Sequence, residues 1–216
     1  MKDLKYFLSY TIPLSALIGI QVGGIWTFTT VFYAFGFIPI WEALITPSSE
    51  KLSEEQIEHR LANRFFDGML YFNILIVYGM LFYGLYYLSS YEAGLLERLG
   101  LVLSIGIVLG TNGINVAHEL GHRKTVWERM LAKFLLLPAL YMHFYIEHNF
   151  GHHKNVGTPE DPATSKLNQT VFSFWFTSII GQFINAVRIQ KRLLKKTNRG
   201  FFSLHNDLFY YQLFQL

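Results

Sequence analysis

His118-Glu119-Leu120-Gly121-His122 follows directly on Leu99 to Ala117, a run of 19 residues without a charged side chain. As an α-helix that run is about 28 Å long, close to the thickness of a bilayer's hydrocarbon core. The join therefore predicts a membrane helix that delivers His118 at a surface. Glu147-His148-Asn149-Phe150-Gly151-His152-His153 and Thr158-Pro159-Glu160-Asp161-Pro162-Ala163 lie a little further on, and six of the eight histidines fall between Asn112 and Ala163.

Working outward, the same pattern recurs upstream. Tyr6 to Gly24, Ile25 to Trp41 and Gly68 to Tyr91 are also uncharged, with Gln21, Gly23 and Gly24 marking a tight turn between the first two. Pro13 and Pro39 are compatible with membrane helices. The charged stretch from Glu42 to Asp67 predicts a surface helix beginning after Ser48-Ser49. The expectation is an all-α, polytopic membrane helix bundle with four complete spans. Phe201 to Leu216 reads as a partial fifth span. Residues 1–216 read as a single membrane domain, the N-terminal part of a longer enzyme.

Positive side chains orient this layout. Lys2, Lys5, Lys51, Arg60, Arg64, Arg123, Lys124, Arg129 and Lys133 share one side, and Arg98 lies on the other. By the positive-inside rule the histidine clusters face the cytoplasm from the cell (inner) membrane. Phe134 to Ile146 is apolar for 13 residues apart from His143, too short to span. A re-entrant or interfacial path would return His148 to His118 and His122. Val171 to Val187 contains Ser173, Thr177, Ser178, Gln182 and Asn185 and is followed by Arg188, Lys191, Arg192, Lys195, Lys196 and Arg199. This predicts an amphipathic helix at the cytoplasmic surface, in contact with membrane lipid.

The chain has no cysteine, which excludes disulfides, thiolate metal sites and a cysteine nucleophile. Metal must be held by imidazole and oxygen donors, which suits zinc, iron or copper. His118 and His122 at i, i+4 share one helix face, and Thr111 and Asn115 continue it upstream as a polar stripe facing the bundle interior. His148 and His152 repeat the spacing, and His153 adds a neighbouring direction. Five imidazoles exceed one tetrahedral zinc and suggest a binuclear centre, with iron suited to oxygen chemistry. Glu119, Glu147 and Asp161, with Glu160 beside them, are candidate acceptors that orient imidazole N–H groups. His143 reads as a satisfied polar group in the re-entrant segment rather than a ligand, and His59 and His205 as surface residues. His118-Glu119-Leu120-Gly121-His122 also fits a zinc-peptidase pattern. No aspartate in a predicted span supplies the third ligand such a site needs. A nucleic-acid partner is not expected.

The segments Asn115 to Lys124, Glu147 to His153 and Thr158 to Ala163 resemble the motifs of the bacterial membrane-bound alkane monooxygenases. These are histidine-rich di-iron hydroxylases related to membrane fatty-acid desaturases and to the xylene monooxygenase hydroxylase. The resemblance runs through nearly the whole chain. It implies O2-dependent hydroxylation of the terminal carbon of an alkane at two non-haem iron ions. Electrons would come from rubredoxin and its reductase, and the substrate would enter between membrane helices. His118, His122, His148, His152 and His153 would be iron ligands. The family's further histidine motifs, one in an Asn-Tyr-x-Glu-His-Tyr-Gly context and one ending in a His-His pair, do not occur here. The 216-residue polypeptide alone is therefore expected to be inactive or weakly metal-binding. A membrane lipid desaturase or hydroxylase, and a membrane zinc peptidase, are the alternatives.

Overall fold

Uncharged runs with no strand alternation must satisfy their backbone polar groups internally, and here they do so as helices. The computed structural model describes residues 2–45, 53–61 and 63–216, and all regular structure among them is helical. Two compact units are present, Met1–Val116 and Ala117–Leu216.

In the first unit a 3-10 turn over Lys2–Tyr10 leads into α1, Thr11–Val22. The helices α2 (Gly24–Leu44), α4 (Arg64–Ser90) and α5 (Leu95–Gly121, which runs on into the second unit) are long and apolar enough to cross a membrane. The short α3, Glu54–Leu61, lies between α2 and α4. The expected surface helix is thus present, whereas Ser48, Ser49 and Lys51 lie outside the described residues, as does the side chain of His59.

Tyr6 to Gly24 is not among the membrane-length helices. The α-helical part of that stretch, Thr11–Val22, is about 18 Å long, well short of a bilayer core. The predicted turn is real. Gly23 and Gly24 take φ of 73° and 57°, the left-handed region that glycine enters without a Cβ clash. Glu97 Oε1 fastens the turn by accepting the Gly24 N–H at 2.7 Å and the Tyr87 hydroxyl at 2.6 Å.

Ile12, Ala16 and Ile20 of α1, Met80 of α4 and Leu101, Ile105 and Val108 of α5 form the core of this unit. Close approach comes from a small residue. A Cβ on Gly100 would meet the Thr27 hydroxyl and the Phe28 ring, as expected where membrane helices pack through small side chains. Ser104 donates to the Thr27 carbonyl at 2.6 Å across the same contact.

A π-turn over Leu109–Ile114 interrupts α5. Such a bulge inserts a residue and shifts the side-chain register. Thr111 and Asn115 are consequently exposed, and Asn112 is the buried member. This corrects the expected interior stripe: Asn112 donates to Asn73 Oδ1 at 2.9 Å and to the Ser9 carbonyl at 3.3 Å.

In the second unit α6 covers Val126–Leu136. The run expected to fold back does so through a defined helix stop. Leu140 adopts φ 52°, the Tyr141 N–H bonds the Leu136 carbonyl at 3.1 Å, and the Leu140 N–H bonds the Leu137 carbonyl at 3.0 Å. This is a Schellman motif with leucine where glycine is usual, and Pro138 within it helps bar continuation. The chain re-enters helix over 144–155 (α7), with a second π-turn at His148–His152. One long helix, α8 (Val171–Lys196), packs on α7. Its first turn is capped by Thr170, whose hydroxyl accepts the Ser173 N–H. The presumed partial span is α9, Asp207–Gln215, capped by Asn206 and about 14 Å long.

Candidate metal centre

Helix spacing brings the first pair together. His118 and His122 lie one turn apart on α5, with Nε2 atoms 3.3 Å apart. The helix stop at Leu140 turns α7 so that its histidines reach the same point. His122 Nε2 lies 3.0 Å from His148 Nε2 and 3.3 Å from His153 Nε2, and His148 and His153 are 3.0 Å apart. The donor atoms of these four residues all fall within 4.8 Å of one another. The π-turn makes this possible, because it places both His148 and His153 on the converging face.

The donor set tests itself for a metal. Four Nε2 atoms converge, and they cannot all be partnered by each other's protons without leaving lone pairs opposed. Imidazoles at about 2.0–2.1 Å from one divalent ion would place their nitrogens roughly 3.0–3.4 Å apart, which is the spacing of four of the six pairs, the whole set spreading to 4.8 Å. Neutral imidazole, the form that binds metal, is favoured here. Burial and then the neighbouring His118, His153, His122 and His152 push His148 down to about 3. Burial, His118 and His153 also lower His122. The His148 ring is further fixed by stacking on Phe144, with centroids 4.8 Å apart.

His152 is placed differently. Its Nδ1 donates to Asp161 Oδ2 at 2.9 Å, so it stands outside the group of four. Asp161 is itself buried. It accepts the Thr164 hydroxyl at 2.5 Å and the Ala163 N–H at 3.0 Å. Burial alone would raise this carboxyl, but Thr164, Ala163 and His152 outweigh it and hold it below its usual range. Glu160, next in sequence, is exposed.

The two other acidic residues diverge. Glu119 pairs with Arg123 at 3.1 Å on the open side of the helix. Glu147 is fully buried. Its Oε1 accepts from Asn185 Nδ2 at 2.9 Å, and its Oε2 has no hydrogen-bond partner among the described residues. Burial raises this carboxyl, opposed by the Asn185 bond. Gly151 makes room for that contact, because a Cβ there would lie 2.8 Å from Glu147 Oε1 and 2.9 Å from Asn185 Nδ2.

His143 is buried against Tyr141 and Phe183, but its Nε2 has no hydrogen-bond partner among the described residues, so it is not the satisfied polar group expected: the aromatic rings around it offer no acceptor or donor. Sequence reasoning missed Asn185, Thr164 and Phe144 as supports. The signal for Asn185 was present: Ser178, Gln182 and Asn185 repeat at helical spacing in an otherwise apolar run.

Three membrane-length apolar helices and a cage of four imidazoles, with a buried carboxylate behind a fifth, define a histidine-rich helical metalloprotein of membrane type. The chain belongs to the fatty acid desaturase family, whose sequence model matches residues 93–215. It is 32% identical over 208 residues to alkane 1-monooxygenase 1 of Alcanivorax borkumensis, covering 94% of this chain and 51% of that protein. To the alkane 1-monooxygenase of Ectopseudomonas oleovorans it is 31% identical over 212 residues, covering 96% and 53%. The alkane 1-monooxygenase of Pseudomonas putida is 31% identical over 211 residues, covering 94% and 52%. The chain thus spans about half the length of the curated relatives it matches.

Proposed function

We propose that this chain is the metal-holding, membrane-embedded part of an alkane 1-monooxygenase. The reaction is hydroxylation of a terminal carbon: alkane, O2, two electrons and two protons give a 1-alkanol and water. The observation that carries the reading is the convergence of His118, His122, His148 and His153 Nε2 on one point, in a chain similar to alkane 1-monooxygenases over most of its length.

In this reading the four imidazoles hold one iron. His152, aimed by Asp161, serves a second iron whose other ligands come from the rest of the enzyme. Bound iron supplies the O2 and one-electron chemistry that no side chain offers. The chain's own contribution is to hold neutral imidazoles in place, fix the His152 tautomer and keep the site backed by buried groups. The 3-10 turn from Tyr6 runs on into α1, and together they join α2, α4 and α5 as a fourth span, the histidines face the cytoplasm from the inner membrane, and rubredoxin with its reductase delivers electrons there.

Whole cells carrying the complete enzyme, fed n-alkanes under 18O2, should yield 1-alkanols labelled with one 18O. Unlabelled alcohol, or none, overturns the reading. The family match favours one other reading, a lipid desaturase, which would give an olefin from a fatty acyl substrate. The zinc-peptidase alternative is disfavoured by Glu119, which pairs with Arg123.

A further inference from the structure

The helix α8 buries polar side chains beside Ala186, Ile189 and Leu194 and turns large apolar ones outward. Its buried positions include Ser178, Gln182 and Gln190, the last only 3% exposed. Its outward face carries Phe172, Trp175, Phe176, Ile179, Ile180 and Ile184, with Phe176 70% exposed. A helix against water shows the opposite pattern, and an exposed apolar patch of this size marks an interaction surface.

The face changes character along its length. Residues 171–184 are without charge and cover about 21 Å, more than one leaflet's hydrocarbon depth and less than a full crossing. From Arg188 onward the exposed residues are basic: Arg188, Lys191, Arg192, Lys195 and Lys196, then Arg199 beyond the helix. No acidic residue occurs anywhere in α8. Among the described residues none of these six cations is found in an ion pair with a carboxylate. Lys191 lies over the Phe201 ring at 5.1 Å.

We propose that α8 is a phospholipid-docking helix. Its apolar N-terminal half lies in the hydrocarbon of one leaflet, and its basic C-terminal end holds the phosphates of anionic phospholipids. An apolar stretch followed at once by a cationic step on the same face is complementary to the hydrocarbon-to-phosphate boundary of a leaflet. The buried face meanwhile packs on α7 and on the turn before it: Tyr141 donates to Gln182 Oε1 at 2.8 Å, and Asn185 reaches Glu147. Lipid would thereby seat the helix that backs the histidine cluster. The docking itself does not depend on which reaction the centre performs.

The absence of cysteine allows single spin labels at chosen sites. The full chain is placed in nanodiscs of phosphatidylcholine with phosphatidylglycerol at about 7:3. Labels at F176C and I180C should relax with O2 and not with an aqueous nickel chelate, and a label at R192C should do the reverse. Native mass spectrometry should show phosphatidylglycerol retained in preference to phosphatidylcholine. R192Q/K195Q/K196Q should lose that preference, each removed charge weakening retention by about fivefold at most, with metal content unchanged.

Nickel access at residue 176 overturns the proposal. So does shielding from both relaxants, which would mean coverage by another segment or protein. Dipolar broadening between labels of two copies, or an unchanged lipid preference in the triple variant, overturns it equally.

Discussion

Asp161 Oδ2 accepts a hydrogen bond from His152 Nδ1 at 2.9 Å, and this bond fixes which nitrogen of the ring is free. With Nδ1 bearing the proton, Nε2 keeps its lone pair for a metal. The loop that supplies Asp161 is clamped in turn, since the Thr164 hydroxyl also accepts the Gly157 N–H at 3.0 Å. Buried acceptors of this kind orient metal-binding histidines and typically matter about 10–100-fold in metal affinity. In the complete enzyme Asp161→Ala should weaken the second iron, the one His152 serves, by that order, measured by competition with a chelator, and should leave the four-imidazole ion in place. Thr164→Ala should have a smaller effect of the same sign. Unchanged affinity in Asp161→Ala would sink the assignment.

His148 is the buried hub of the four imidazoles, facing both His122 and His153 at 3.0 Å. His148→Ala should abolish stoichiometric iron binding at this cluster. His152→Ala should leave the four-imidazole ion in place. Iron per chain, measured by plasma mass spectrometry, separates the two variants, and equal losses from both would contradict a site centred on the four.

Gly151→Ala should be costly despite adding a single methyl. The new Cβ would meet Ile189 Cδ1 at 2.7 Å, Glu147 Oε1 at 2.8 Å and Asn185 Nδ2 at 2.9 Å. The isoleucine end can give way, but the buried Asn185–Glu147 pair has less freedom. Overpacking of this kind costs roughly 1–3 kcal/mol. A lowered midpoint in thermal unfolding is expected, together with reduced iron content. A variant as stable as the parent would show that the pair can shift.

Acid should destabilise the second unit through His143. Burial pushes this imidazole down to about 4 in the folded chain, against about 6.5 when unfolded. The unfolded state therefore binds more protons between those values, and stability falls as pH drops from about 6.5 to about 4. The contribution is present in full above that window and gone below it, and amounts to roughly 3 kcal/mol. His143→Phe should flatten this part of the pH dependence in metal-loaded protein, followed by scanning fluorimetry. An identical pH profile in the variant would rule His143 out as the group responsible.

The sequence by itself determined the helical class, because long uncharged runs leave the backbone no other way to satisfy its polar groups. It also determined the chemistry of the cluster, since cysteine is absent and imidazoles recur at i, i+4. The helices over Gly24–Leu44, Arg64–Ser90 and Leu95–Gly121 were readable to within a few residues. Tertiary structure decided what spacing cannot encode. The π-turn at Leu109–Ile114 exchanged Thr111 and Asn115 for Asn112 as the buried residue, a shift invisible to a fixed 3.6-residue period. A left-handed Leu140 ended α6 where composition suggested only a short apolar run. That stop, with the second π-turn, brought His148 and His153 to His118 and His122 and left His152 to Asp161. Five equivalent-looking histidines became four and one because backbone direction, and not residue type, sets where each imidazole lone pair points.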